Sequence, residues 1–137
     1  MNARSAASRW LVGAGCLVLV AGALLHLIAA YPKVSPAVLA SNLNPSLQSA
    51  LRSVFLIIGC HWIFLAAIAM VGAFSRTSAR RTIVLLCALA LFVDAALMAS
   101  FLGWFMGTAM ILASALLILC GGLAVTPAQP AGGAIAR

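Results

Sequence analysis

The sequence predicts an all-α fold, an integral membrane four-helix bundle whose antiparallel helices run up, down, up and down. Hydrophobic residues make up 66% of the 137 positions and charged residues only 7%, whereas soluble proteins carry about 25% charged residues. Each apolar run has roughly the 20 residues that a helix needs to cross a hydrocarbon core about 30 Å thick. We expect a single membrane domain over residues 1–126, followed by a disordered cytoplasmic tail at 127–137. The four runs lie at 10–30, 54–74, 83–101 and 104–125.

The first run follows a short basic segment, as the apolar part of a secretory signal peptide would. Its apolar stretch is longer than the ~7–15 residues usual in a signal peptide. Leu27 and Ile28 also stand where cleavage would require small residues. We therefore expect this run to stay in the protein as its first transmembrane helix.

The connection between the first two runs contains two patterns typical of a helix start. Ser35–Pro36 and Asn44–Pro45 each place a capping residue before a proline. We predict a short helix at 36–43 on the outer membrane surface, and a second start at the later proline that continues into the 54–74 run. The last two runs are separated only by positions 100–104, which predicts a tight hairpin.

Small residues recur every seven positions in three of the four runs. This spacing keeps them on one side of each helix, and small side chains let helix backbones approach closely. The pattern predicts a compact bundle. The residues are Gly15, Gly22 and Ala29 in the first run, Gly59, Ala66 and Ala73 in the second, and Gly107, Ser114 and Gly121 in the fourth.

Basic residues predict the orientation of the helices. Arg4 and Arg9 precede the first run, and Arg76, Arg80 and Arg81 lie between the second and the third. The opposite side carries only one lysine and one arginine. Because short basic segments stay on the cytoplasmic side, both termini and the arginine loop are predicted to be cytoplasmic. The loop arginines are interpreted as topology determinants, with a lipid- or partner-docking patch as the alternative. Short loops and Ala-rich helices suggest a bacterial cytoplasmic membrane.

Residue patterns typical of enzymes, metal sites and nucleic-acid binding are missing from the sequence. Asp94 is the one acidic residue, so no pair of carboxylates is available for acid–base catalysis. There is no phosphate-binding glycine loop and no zinc-protease motif. The net charge of +7 is explained by basic residues beside anionic lipid. Four cysteines fall one per run, without the spacing of a disulfide framework or a zinc site: Cys16, Cys60, Cys87 and Cys120.

His26, His61 and Asp94 are the polar residues that carry the functional argument. A carboxylate within the membrane costs roughly 3 kcal/mol on insertion, so it usually faces a partner or a cavity. At ~1.5 Å per residue, the three residues lie about 7, 10 and 13 Å below the outer boundary. Their similar depth predicts a polar cluster in the outer half of the bilayer.

Two interpretations of this cluster involve no cofactor. In the first, Asp94 hydrogen-bonds to His61, His26 or Ser100 and holds the helices together. In the second, His61 and Asp94 provide the polar contacts of an outward-facing pocket for a lipid- or quinone-type ligand, or act as a proton relay. The apolar walls of that pocket would be Phe55, Trp62, Phe101 and Trp104.

The third interpretation is a haem held between His26 and His61. Two imidazoles on facing helices are the minimum for such a site, and Asp94 could accept a hydrogen bond from one of them. Apart from this alternative we expect no cofactor and no metal. The sequence thus predicts a small, non-enzymatic membrane subunit or ligand-binding module. Its candidate partners are the lipid bilayer, another membrane protein or a second copy of the chain, and no nucleic acid.

Overall fold

The computed structural model describes residues 3–75 and 77–124, and all secondary structure in these ranges is helical. Within the described residues, four helical stretches are long and apolar enough to cross a membrane: Ala6–Leu39, Pro45–Phe74, Arg80–Leu102 and Met106–Leu123. The predicted all-α class with four such helices is confirmed. The predicted tail at 127–137 lies outside the described residues. The elements are α1 (Ala3–Leu24), a π-helical segment (Leu25–Ala30), α2 (Tyr31–Leu39), α3 (Pro45–Phe74), α4 (Arg80–Leu102) and α5 (Met106–Leu123).

The first helical stretch runs past the boundary predicted at position 30, because the π-helical segment joins α1 to α2 without a break. In this segment the backbone N–H of Tyr31 bonds to the carbonyl of His26, five residues back. A π-helical turn holds more residues than an α-helical one and is often found at functional sites. Pro32 lacks the N–H that an α-helix would donate to the carbonyl of Ile28, and the altered bonding pattern lies directly before it.

The prediction of a separate surface helix at 36–43 is wrong. Pro36 lies inside α2, which ends at Leu39, because the fixed φ of proline is compatible with a helix even though its missing N–H is not. Ser35 does not cap a helix. Its buried hydroxyl accepts a hydrogen bond from Nε of Arg52 at 2.8 Å, which ties α2 to α3.

The predicted helix start at Pro45 is confirmed. Asn44 has an extended backbone, and its Oδ1 accepts a hydrogen bond from the Leu47 N–H at 2.8 Å. The side chain thereby satisfies one of the N–H groups that the first helical turn leaves without a partner. Nε2 of Gln48 donates to the carbonyls of Ser41 and Leu43, at 3.0 Å each, so a side chain from the first turn of α3 also closes the turn before it.

The turn between α4 and α5 is short because Gly103 reverses the chain. Its φ of 79° is unfavourable for residues with a Cβ, and its N–H bonds back to the carbonyl of Ala99. The hydroxyl of Thr108 donates to the carbonyl of Gly103 at 3.2 Å. Gly103 is therefore hydrogen-bonded to both α4 and α5, and these two bonds hold the tight connection that was predicted at 100–104.

The helices pack around one core, in which α1 contacts α3 and α5, and α4 contacts the same two helices. Helices α1 and α5 approach each other closely at two glycines. A Cβ built on Gly15 would lie 3.0 Å from the carbonyl oxygen of Ser114, and one on Gly121 would lie 2.9 Å from that of Ser8. The hydroxyl of Ser8 donates to the carbonyl of Gly121 at 2.7 Å. Gly15 and Gly121, two members of the seven-residue repeat, thus lie at a helix contact, as predicted. Ala29, another member, is exposed.

Candidate functional site

Trp62 is the central residue of the polar cluster. It projects from α3, is only 3% exposed, and its indole Nε1–H donates to Oδ2 of Asp94 on α4 at 3.2 Å. A buried indole needs an acceptor for its N–H, and Asp94 is the only acidic residue in the chain. The hydrogen bond therefore joins α3 to α4 and fixes the plane of the indole ring.

His61 approaches the same carboxylate from the exposed surface of the helix bundle. Its Nε2 lies 3.4 Å from Oδ2 of Asp94, and the side chains of His61 and Asp94 are 46% and 24% exposed. This distance is longer than a good N–H···O hydrogen bond, so the Trp62 contact is the better formed of the two. The structure thus places His61 close to Asp94, as predicted, at the partly exposed edge of the α3–α4 contact.

His26 lies apart from this pair, on the π-helical segment. Its Nε2 is 2.8 Å from the carbonyl oxygen of Phe55 on α3. A carbonyl oxygen only accepts, so Nε2 carries the hydrogen in this contact. The imidazole stacks on the ring of Phe55, with centroids 4.2 Å apart and an angle of 14°, and meets the edge of Trp62 at 5.2 Å and 66°.

The structure therefore divides the predicted trio and places Trp62 between its two parts. One part is the His61–Asp94 pair, and the other is His26 with Phe55. The sequence predicts Trp62 as an apolar wall, but its role as the hydrogen-bond donor to Asp94 is not predicted. Ser100 does not join the cluster, because its hydroxyl donates to the carbonyl of Ala96 in its own helix.

An apolar cavity of about 280 Å³ lies beside His26 and Trp62. It is surrounded by α1, the π-helical segment, the end of α4 and the beginning of α5. Thirteen residues form its wall: Val18, Leu19, Gly22, Leu25, His26, Ala30, Trp62, Met98, Phe105, Met106, Gly107, Met110 and Ile111.

The cavity differs from the predicted pocket in both its polar group and its walls. Its polar contact comes from His26, whereas His61 and Asp94 do not line it. Of the predicted wall residues Trp62 is present, and Phe55 lies behind His26. Phe101 and Trp104 are 82% and 74% exposed and lie outside the cavity. These two aromatic residues flank the turn at Gly103, which directs them outward instead of onto α3.

The methionines that line the cavity were missed by sequence reasoning. Met98, Met106 and Met110 come from α4 and α5. Their flexible thioether side chains adapt to irregular spaces and to different ligands. The available signal was the concentration of methionines near the predicted hairpin, but the sequence did not show which side of each helix they occupy.

The remaining candidate residues lie away from this cavity. Arg80 and Arg81 occupy the first turn of α4, where positive charge opposes the helix dipole. The side chain of Arg76 lies outside the described residues. Cys60 and Cys120 are exposed, and Cys16 and Cys87 are buried. Within the described ranges no group of three or more His, Cys, Asp or Glu side chains could hold a metal ion.

No protein-family model, curated protein or solved structure matches this chain.

Proposed function

We propose that this chain is a non-enzymatic membrane module that binds a small amphipathic molecule of the lipid or quinone type. The observation that carries the proposal is the apolar cavity of about 280 Å³ with one imidazole in its wall. Ligand sites are typically concave and apolar with a few polar groups that orient the ligand, and their volumes begin near ~300 Å³. The cavity has this composition and lies at the lower end of this range of volumes.

The hydrogen bonds around Asp94 support this function by positioning Trp62. The indole N–H is directed to Oδ2 of Asp94, while the ring of Trp62 forms part of the cavity wall. Interhelical polar contacts of this type contribute about 0.6 kcal/mol on average. Asp94 is accordingly proposed to hold α3 and α4 together and to orient the tryptophan, instead of contacting the ligand.

The haem alternative has less geometric support. Nε2 of His26 is directed at a backbone carbonyl and Nε2 of His61 at Asp94. A bis-histidine haem would require a nitrogen of each ring to face a common gap between the helices. A proton relay through His61 and Asp94 also has less support than ligand binding, because neither side chain reaches the cavity.

The arrangement in the membrane is proposed to be antiparallel, with both termini on the cytoplasmic side of a bacterial cytoplasmic membrane. Arg9, near the start of the first helix, lies 5.2 Å from the ring of Phe74, at the end of α3. Ser8 likewise contacts Gly121, near the end of α5. The start of α1 thus lies beside the ends of both α3 and α5, which supports opposite directions for α1 and these two helices, and the basic residues then select the cytoplasmic side.

A cysteine introduced at Asn42, an exposed position in the turn before α3, tests this orientation. In a chain without its native cysteines, a membrane-impermeant maleimide added to intact cells is expected to label Asn42→Cys, because this turn would face outward. Thr77→Cys, in the loop before α4, is expected to react only after the cells are opened. Labelling of Thr77→Cys in intact cells, with Asn42→Cys protected, would reverse the proposed orientation.

Filling the cavity is expected to abolish ligand binding without unfolding the protein. A Cβ on Gly22 would make only ordinary contacts, the nearest at 3.5 Å from Cε of Met110. Gly22→Leu therefore places its additional atoms beside Met110, inside the cavity, and a residue other than glycine also favours the helix. Mass spectrometry of the gently purified protein should show a bound lipid-soluble molecule that is lost in this variant.

Gly13→Leu is the matched control, because it adds the same atoms to α1 where no other atom lies within 4 Å of the built Cβ. It should retain the bound molecule. Equal retention by both variants, each with normal helix content, would contradict a binding site in this cavity.

A further inference from the structure

We infer that the cavity takes a lipid-soluble alcohol or phenol whose hydroxyl group donates a hydrogen bond to Nδ1 of His26. This inference rests on the proposed function, since it names the chemistry of the ligand that occupies the same cavity. It also predicts which of two otherwise identical amphipathic molecules the protein prefers.

The contact between His26 and Phe55 determines what the imidazole offers to a ligand. The Phe55 carbonyl, 2.8 Å from Nε2, only accepts hydrogen bonds. The hydrogen of a neutral His26 ring is therefore on Nε2, and Nδ1 carries a lone pair. No contact among the described residues occupies Nδ1. The ring is held in place by stacking on Phe55 and by the edge of Trp62.

The other polar side chain of the wall is already engaged. Trp62 donates its only N–H to Asp94, and an indole has no acceptor. The remaining wall residues are aliphatic, methionine, phenylalanine or glycine. Among the side chains that line the cavity, the strong acceptor left without a partner is therefore Nδ1 of His26, the methionine sulfurs accept only weakly, and no N–H or O–H donor remains free. A ligand with an O–H group complements this surface, whereas an ether leaves the acceptor without a partner.

The backbone at the start of α5 offers the opposite polarity. Met106 and Gly107 line the cavity, and the first N–H groups of a helix have no partner within it. A ketone could accept hydrogen bonds from these groups but could not satisfy His26. A hydroxyl can donate to His26 and its oxygen still has a lone pair for another donor, whereas a ketone cannot donate at all, so we expect the alcohol to bind more tightly than the ketone.

Three brominated probes separate these possibilities. They are dibromostearyl alcohol, its methyl ether and the methyl ketone of matched chain length, each added to the full chain in phosphatidylcholine nanodiscs. Bromine quenches tryptophan fluorescence on contact, and Trp62 becomes the only reporter when Trp10 and Trp104, both exposed, are replaced by phenylalanine. Saturable quenching as a function of the probe's mole fraction in the bilayer gives the relative affinity.

The alcohol is expected to bind about tenfold more tightly than the ether, which corresponds to one hydrogen bond between neutral groups. Equal saturable binding of alcohol and ether, or tighter binding of the ketone, would overturn the hydroxyl inference while leaving the proposed function intact. A failure of all three probes to give saturable quenching would contradict the proposed function itself.

Two substitutions test whether His26 is the group that recognises the hydroxyl. His26→Phe preserves an aromatic ring for stacking but has no acceptor, so the preference for alcohol over ether should disappear. His26→Gln provides an amide N–H for the Phe55 carbonyl and a carbonyl oxygen for the ligand, so the preference should be retained. An undiminished preference in a folded His26→Phe protein would show that another group recognises the hydroxyl.

Discussion

Gly121→Leu is expected to separate α1 from α5 and to lower the free energy of unfolding by about 3 kcal/mol, the upper range for overpacking a tightly packed contact. A Cβ at this position would lie 2.6 Å from Cγ2 of Val12, 2.9 Å from the carbonyl oxygen of Ser8 and 3.0 Å from the backbone nitrogen of Val12. Two of these atoms belong to the backbone of α1, so no side-chain rotation can relieve the contact.

The substitution also removes a hydrogen bond between the two helices. The Ser8 hydroxyl donates to the Gly121 carbonyl at 2.7 Å, and this bond requires the backbones to stay close. If α1 and α5 move apart, the buried hydroxyl loses its acceptor, which costs about 1–3 kcal/mol when no other partner is available. The two effects share one cause and are not independent, so we do not expect them to add fully.

Equilibrium unfolding in mixed micelles of dodecyl maltoside and sodium dodecyl sulfate, followed by far-ultraviolet circular dichroism, measures this change. Gly13→Leu is again the control, because it adds the same side chain to an apolar helix without a close contact. We expect the control to unfold at nearly the wild-type concentration of sodium dodecyl sulfate. Similar destabilisation by both substitutions would show that leucine is unfavourable in these helices for reasons other than the α1–α5 contact.

The helices could be predicted because membrane insertion is determined by local composition. A run of about 20 apolar residues is sufficient to specify a spanning helix, and the start of α3 was marked by Asn44 and Pro45. The continuation through Tyr31 to Leu39 was not predicted, since prolines usually indicate a helix start. Here Pro36 lies within α2, where its φ is compatible with the helix.

The polar site could be predicted only in part, because depth follows from sequence position but orientation around the helix axis does not. The proximity of His61 to Asp94 agrees with their estimated depths. His26 has a similar depth but faces Phe55, and the π-helical segment changes its direction relative to an uninterrupted α-helix. The exposed positions of Phe101 and Trp104 depend on the turn at Gly103, which apolar periodicity does not specify.

Trp62→Ala is the substitution expected to have the largest effect on the site. Truncation of a buried aromatic residue typically costs about 3–5 kcal/mol through lost contacts and the space left behind. Trp62 is 3% exposed, contacts His26 and hydrogen-bonds to Asp94. Its removal should enlarge the cavity, free the His26 ring on one side and leave Asp94 with the longer contact to His61. We therefore expect lower stability together with loss of the bound molecule.

Trp62→Phe separates the apolar part of this effect from the hydrogen bond. Phenylalanine keeps much of the buried ring but cannot donate to Asp94, so the cost should be about 1 kcal/mol. Asp94→Asn is the control that keeps this bond, since its amide oxygen can still accept from the indole, and we expect it to be nearly neutral. If Trp62→Phe is as destabilising as Trp62→Ala while Asp94→Asn is neutral, the shape of the indole, and not its bond to Asp94, determines the stability of the site.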